Sequence, residues 1–111
     1  MAATDSDRYL FVEVGPLSDL PSGQRMFIDV GDEPVVVFNI AGNVYAIGDV
    51  CTHDGGPLGE GEIDGYQVIC PRHGARFDVR DGKALTLPAF VDAPAYPVDI
   101  RDGVIFLGIP K

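Results

Sequence analysis

Two cysteines and two histidines are the whole supply of thiol and imidazole in this 111-residue chain, and all four fall between residues 51 and 73. They come as two pairs, Cys51 with His53 in C-T-H and Cys70 with His73 in C-P-R-H, separated by residues 54–69. Thiolate and neutral imidazole at such spacings suit three chemistries: a structural zinc site, a nucleophile with its base, or an iron–sulfur site. Zinc could use all four residues. Structural Cys₂His₂ sites usually group cysteine with cysteine and histidine with histidine, whereas here the types alternate. Nucleophilic catalysis suits Cys70 with His73 and leaves the matching pair without a purpose. A disulfide is the plain alternative, but nothing suggests secretion and each cysteine has a histidine close by.

The elements that must carry these pairs are short and β-rich. Apolar runs at 9–14, 26–30, 35–40, 44–47, 66–70, 75–79, 96–100 and 104–107 predict strands, and residues 17–20 predict one helical turn. Gly31–Asp32, Ala41–Gly42–Asn43, Asp64–Gly65, Asp81–Gly82 and Asp102–Gly103 mark turns between them. Fourteen glycines and nine prolines interrupt the chain too often for long helices. An antiparallel all-β sandwich or small barrel follows, expected to form a single domain over residues 1–111. The stretch CTHDGGPLGEGEIDG, 51–65, is too glycine-rich and irregular for a strand. It is expected to form one loop, and C-P-R-H-G a second, with a hairpin between them that lets the tips meet.

The pattern C51-T-H53 … C70-P-R-H73, with its flanks CTHDGGPL and CPRHGARFD, resembles the ligand motif of Rieske [2Fe–2S] proteins. The resemblance implies a Rieske-type fold with a cluster-binding subdomain of two loops, about residues 50–78, inserted in a basal β unit. It implies one [2Fe–2S] cluster per chain, with Cys51 and Cys70 on one iron and His53 and His73 on the other, the histidine iron nearer the surface. Beside such a cluster Gly55, Gly56 and Gly74 would let backbone N–H groups approach, Pro57 and Pro71 would stiffen the tips, and Leu58 and Phe77 would cover it. The function implied is that of a soluble Rieske-type ferredoxin, an electron carrier and not an enzyme. It would pass electrons from a flavin-dependent reductase to a terminal non-haem iron oxygenase. Two alternatives remain: the small subunit of an NAD(P)H-dependent nitrite reductase, and a zinc-stabilised interaction module.

One departure from the high-potential branch bears on redox potential. Respiratory Rieske proteins resemble CTHLGC…CPCHGSxYD, with an extra cysteine in each loop and Ser and Tyr hydroxyls near the cluster. This chain has Gly56 and Arg72 in place of those cysteines, and Ala75 and Phe77 in place of the hydroxyls. The loop-tying disulfide is impossible and both hydroxyl donors are missing, so a low potential is expected.

Composition narrows the class further. Seventeen acidic residues against eight basic give a net charge of −9, which argues against a nucleic-acid partner and favours partners with basic faces. The opening MAATDSDRYL lacks a basic segment followed by an apolar run, and no apolar stretch approaches the length of a bilayer span. A cytoplasmic monomer without membrane contact is expected. The histidines are committed to the motif, so the two-histidine-one-carboxylate iron site of an oxygenase subunit cannot also be built. The segment GEGEIDG does not match a dinucleotide fingerprint.

Overall fold

The computed structural model describes residues 8–52 and 55–111. Among them, ten strands form three antiparallel sheets. The chain runs β1 (Tyr9–Pro16), a 3₁₀ turn (Leu17–Asp19), β2 (Arg25–Val30), β3 (Glu33–Ile40), β4 (Asn43–Gly48), β5 (Ile63–Asp64), β6 (Gln67–Ile69), β7 (Arg76–Asp78), β8 (Ala95–Tyr96), β9 (Val98–Arg101) and β10 (Val104–Pro110). The sheet orders are β1-β10-β9, β2-β3-β4-β8 and β5-β6-β7. The all-β antiparallel class expected from the sequence is the class observed.

The middle sheet is organised by the run Val35–Val36–Val37–Phe38 in β3, all four fully buried. Side chains alternate across a strand. Val35 and Val37 therefore enter a core with Leu20, Ala46, Ile105 and Leu107. Val36 and Phe38 enter a second core with Ile47, Cys51, Leu58, Val68, Cys70 and Phe77. A strand buried on both faces reads as a continuous apolar run, as this one does. The first core joins the middle sheet to β1-β10-β9, and the second joins it to the segment carrying the cysteines and histidines. Each fully buried Val, Ile or Phe contributes about 1.5–3 kcal/mol of apolar burial, so the two halves are held through one shared layer.

Two expected elements differ. The single strand expected at 96–100 is two strands in different sheets, because Pro97 has no N–H to donate to a ladder. Tyr96 pairs with Ala46 of β4, whereas Val98 pairs with Leu107 of β10. The Pro97 carbonyl accepts from Gly108 N at 2.8 Å, so the chain crosses from sheet to sheet at that residue. The stretch read as irregular also contains β5, whose Ile63 pairs with Val68 across the turn at Gly65. Two residues are too few to show an alternating pattern in sequence.

Candidate functional site

The two loops leave the ends of strands that face the second core. Cys51 lies just beyond β4, and Cys70 directly follows β6. Both are buried, at 0% and 1% exposure, in one cluster with Leu58, Ala75 and Phe77. The structure therefore brings together the two thiols that the sequence separates. Leu58 and Phe77, expected to cover the site, are fully buried there. His73 lies in the turn between β6 and β7 and is exposed. His53, the fourth expected ligand, lies outside the described residues.

The loops share one backbone closure. In the first, Cys51 N donates to the Gly56 carbonyl at 2.7 Å, and Gly55 N donates to the Cys51 carbonyl at 2.7 Å. In the second, Cys70 N donates to the Ala75 carbonyl at 2.7 Å, and Gly74 N donates to the Cys70 carbonyl at 3.0 Å. Each loop thus closes on its cysteine with a glycine four residues on. Those glycines have φ of 77° and 74°, the left-handed region that a side chain disfavours. The C-x-x-x-G spacing common to both loops was the sequence signal for this closure, and the different histidine offsets hide it.

Further contacts set the loops on the sheet. Asp49 Oδ1 accepts from Leu58 N at 2.9 Å and Gly59 N at 2.6 Å, fastening the returning half of loop 1 to the end of β4. The Arg25 guanidinium, from β2, donates to the Gly59 carbonyl and, at 2.7 Å, to the Gly61 carbonyl. At Gly59 a Cβ would lie 2.8 Å from Val36 Cβ, so the loop backbone rests directly on β3. The second loop is borne by the β6–β7 hairpin, in which Val68 opposes Phe77. At the end of β7 the Arg80 guanidinium is hydrogen-bonded to Asp78, which outweighs burial and holds that carboxyl below its ordinary range. Arg80 also lies over the Tyr66 ring, 4.5 Å from its centroid. Sequence reading missed Asp49 and Arg25, whose roles depend on backbone groups distant in the chain.

It also missed a third segment beside the site. Residues 85–92 are tied to the hairpin by Leu85 N to the Arg76 carbonyl, 2.8 Å, and Arg76 N to Thr86 Oγ1, 2.9 Å. Next to Cys51, the Thr52 hydroxyl donates to the Val91 carbonyl. Leu87, Phe90 and Val91 on this segment are 69%, 82% and 63% exposed, an apolar surface at the edge of loop 1. Beside loop 2, Glu60, Glu62, Ile69, Cys70, Pro71 and Gly74 line a cleft of about 370 Å³. No helix among the described residues is long and apolar enough to cross a membrane.

The family model for the Rieske [2Fe-2S] domain matches residues 11–97. The chain is 41% identical over 98 residues to the 3-phenylpropionate/cinnamic acid dioxygenase ferredoxin subunit of Escherichia coli K12, covering 86% of this chain and 91% of that protein. A chain in the solved complex of reduced oxygenase and oxidised ferredoxin of carbazole 1,9a-dioxygenase superposes with a TM-score of 0.83 and 30% identity, over 91% of this chain and 94% of that one. A putative NADH-dependent nitrite reductase small subunit from Mycobacterium tuberculosis has a TM-score of 0.76 over 93% of this chain and 97% of its own, at 22% identity, which shows the fold alone.

Asp49 gives this arrangement a direct test. Asp49→Ala leaves the amides of Leu58 and Gly59, both buried, without their acceptor, at a cost of about 1–3 kcal/mol. Amide exchange at these two positions should rise first, and urea unfolding should show the loss. Asp49→Asn, which keeps an oxygen acceptor, should recover part of it; equal losses in both variants would count against the capping role.

Proposed function

The chain belongs to the Rieske [2Fe-2S] domain family, whose model spans residues 11–97, and from that premise we propose that it is a cytoplasmic one-electron carrier. It takes electrons from a flavin-dependent reductase and delivers them to a terminal non-haem iron oxygenase. We assign Cys51 and Cys70 to one iron of a single [2Fe–2S] cluster and His53 and His73 to the other, within a single domain of residues 1–111. The observation that carries this reading is the pair of identically closed loops that put both thiols in one buried cluster while His73 faces outward.

The described residues fit such a group. Cys51 and Cys70 lie in one buried cluster with Leu58, Ala75 and Phe77, where a bound cation would favour the thiolate forms that apolar burial otherwise disfavours. A bound [2Fe–2S] centre supplies reversible one-electron redox capacity at a potential set by its ligands and surroundings. The chain's own part is to hold the thiol side in the apolar core and present an imidazole edge at the surface, where a partner's acceptor can approach. His53 enters this set through its C-T-H motif.

For docking, the apolar surface of Leu87, Phe90 and Val91 flanks loop 1, and Glu60 and Glu62 flank loop 2. With a net charge of −9, this favours partners that set an apolar patch within a basic rim. The ferredoxin subunit name of the E. coli relative and the oxygenase–ferredoxin complex support the oxygenase as acceptor. The nitrite reductase small subunit shares the fold at much lower identity, which leaves the carrier reading ahead.

The deciding experiment is metal and sulfide analysis of protein purified from its native expression. Two irons and two acid-labile sulfides per chain are expected, with a red-brown colour and a low-average-g EPR signal on reduction. One tightly bound zinc without sulfide would replace this reading with the zinc-stabilised module.

The potential follows from Ala75 and Phe77, both 0% exposed in the cysteine core. Neither side chain offers a hydroxyl to stabilise the more negative reduced state. The potential should therefore lie near the low end of the Rieske range of about −150 to +300 mV. Ala75→Ser and Phe77→Tyr should raise it stepwise, read by redox titration, with iron and sulfide content unchanged. A wild-type value well above zero would sink the argument, as would no shift in either variant.

Docking is testable through rates. Electron transfer to the oxygenase should slow as salt rises, because exposed charges are screened beyond about 10 Å at 0.1 M. Phe90→Ser should weaken the complex without altering the salt slope. Rates indifferent to salt would reduce the acidic balance to a matter of solubility.

A further inference from the structure

Gly56 and Arg72 belong to different loops, yet they meet. A Cβ built on Gly56 would lie 1.6 Å from Arg72 Nη2, 2.3 Å from Cζ and 2.6 Å from Nη1. The guanidinium therefore lies against the Gly56 backbone, and only a glycine leaves it that room. The backbone hydrogen bonds described above close each loop on itself. The Arg72 side chain crosses from one loop to the other.

We propose that Arg72 is a positioning residue that braces loop 2 against loop 1 through Gly56, keeping the two donor pairs at one separation. The inference rests on the cluster assignment made above. Loop 1 is anchored by Asp49 to β4, and loop 2 is borne by the β6–β7 hairpin, so the tips are carried by different elements. Independent movement of the tips would spread four ligands that must act together. A planar, permanently charged guanidinium is suited to lie on a peptide surface and still meet water on its other side. Arg72 is exposed, as that placement requires. Residues that orient metal ligands from outside the ligand set typically change metal affinity 10–100-fold when removed.

The test uses the cluster-loaded protein and the variants Arg72→Ala, Gly56→Ala and the double variant. Gly56 has no left-handed φ, so alanine there displaces only the far end of a flexible side chain. The first readout is the rate at which visible absorbance is lost to an excess of iron chelator. Each single variant should lose its cluster about tenfold faster than wild type, and the double variant no faster than Arg72→Ala. Two residues acting through one contact are non-additive in this way. The second readout is amide exchange at Cys51 and Gly55. Arg72→Ala should raise it, although the substitution lies in loop 2. An unchanged release rate in Arg72→Ala, single effects that multiply in the double variant, or exchange that rises in loop 2 alone would each overturn the brace. If Gly56→Ala fails to take up a cluster, Arg72→Ala and the exchange measurement decide. A wild type that holds no iron or sulfide would instead overturn the carrier reading, and exchange in loop 1 would still judge the brace.

Discussion

Burial of β3 on both faces is the constraint on which the rest of the molecule depends. Val35 and Val37 serve one core, and Val36 and Phe38 serve the other. A one-residue slip in the pairing of this strand would exchange the two sets. The register is held on both sides, by Val36 opposite Phe27 in β2 and opposite Ile47 in β4. Because the same strand faces both cores, the cysteine-bearing segment is built onto the β unit and is not merely tethered to it. The loop backbone at Gly59 lies within contact distance of Val36 and Phe27, and the Arg25 guanidinium clamps the carbonyls of Gly59 and Gly61 from β2.

On that foundation two loops of different sequence adopt the same closure. The amide and carbonyl of each cysteine are both used within its own loop, which leaves the thiol pointing into a core shared with the other. Two cysteines held by such closed turns share one core although nineteen positions separate them in the chain. The loops also separate two environments. The thiols sit among Leu58, Val68 and Phe77, and His73 is exposed. On the ligand assignment proposed above, that division would keep water from the cysteine side of the centre and leave its histidine edge open to a partner.

The surface fits the same task. On the docking proposed above, acidic side chains would raise the encounter rate with a basic partner, and the exposed Leu87, Phe90 and Val91 would offer short-range contact close to loop 1. An electron carrier must leave its partner as readily as it finds it, and weak, transient redox contacts occupy small interfaces. Relatives at 41% and 30% identity come from oxygenase systems.

What the sequence determined by itself was what local pattern can encode. Two Cys–His pairs identified the family, because ligand type and spacing are set along the chain. The apolar runs and Asp-Gly turns gave the all-β class, and the unbroken run at residues 35–38 already carried the signature of two-sided burial. The tertiary structure decided what depends on groups far apart in sequence. Pro97 moves the chain from one sheet to another, because which ladder each neighbour joins is settled by strands β4 and β10 and not by the run 96–100 itself. Asp49 became a cap for Leu58 and Gly59 only when the loop returned to it. Gly56 and Arg72 were legible as departures from a pattern, but their meeting was not. A side chain from one loop reaches the backbone of another only after both have been set on the same sheet, and no local preference specifies that distance.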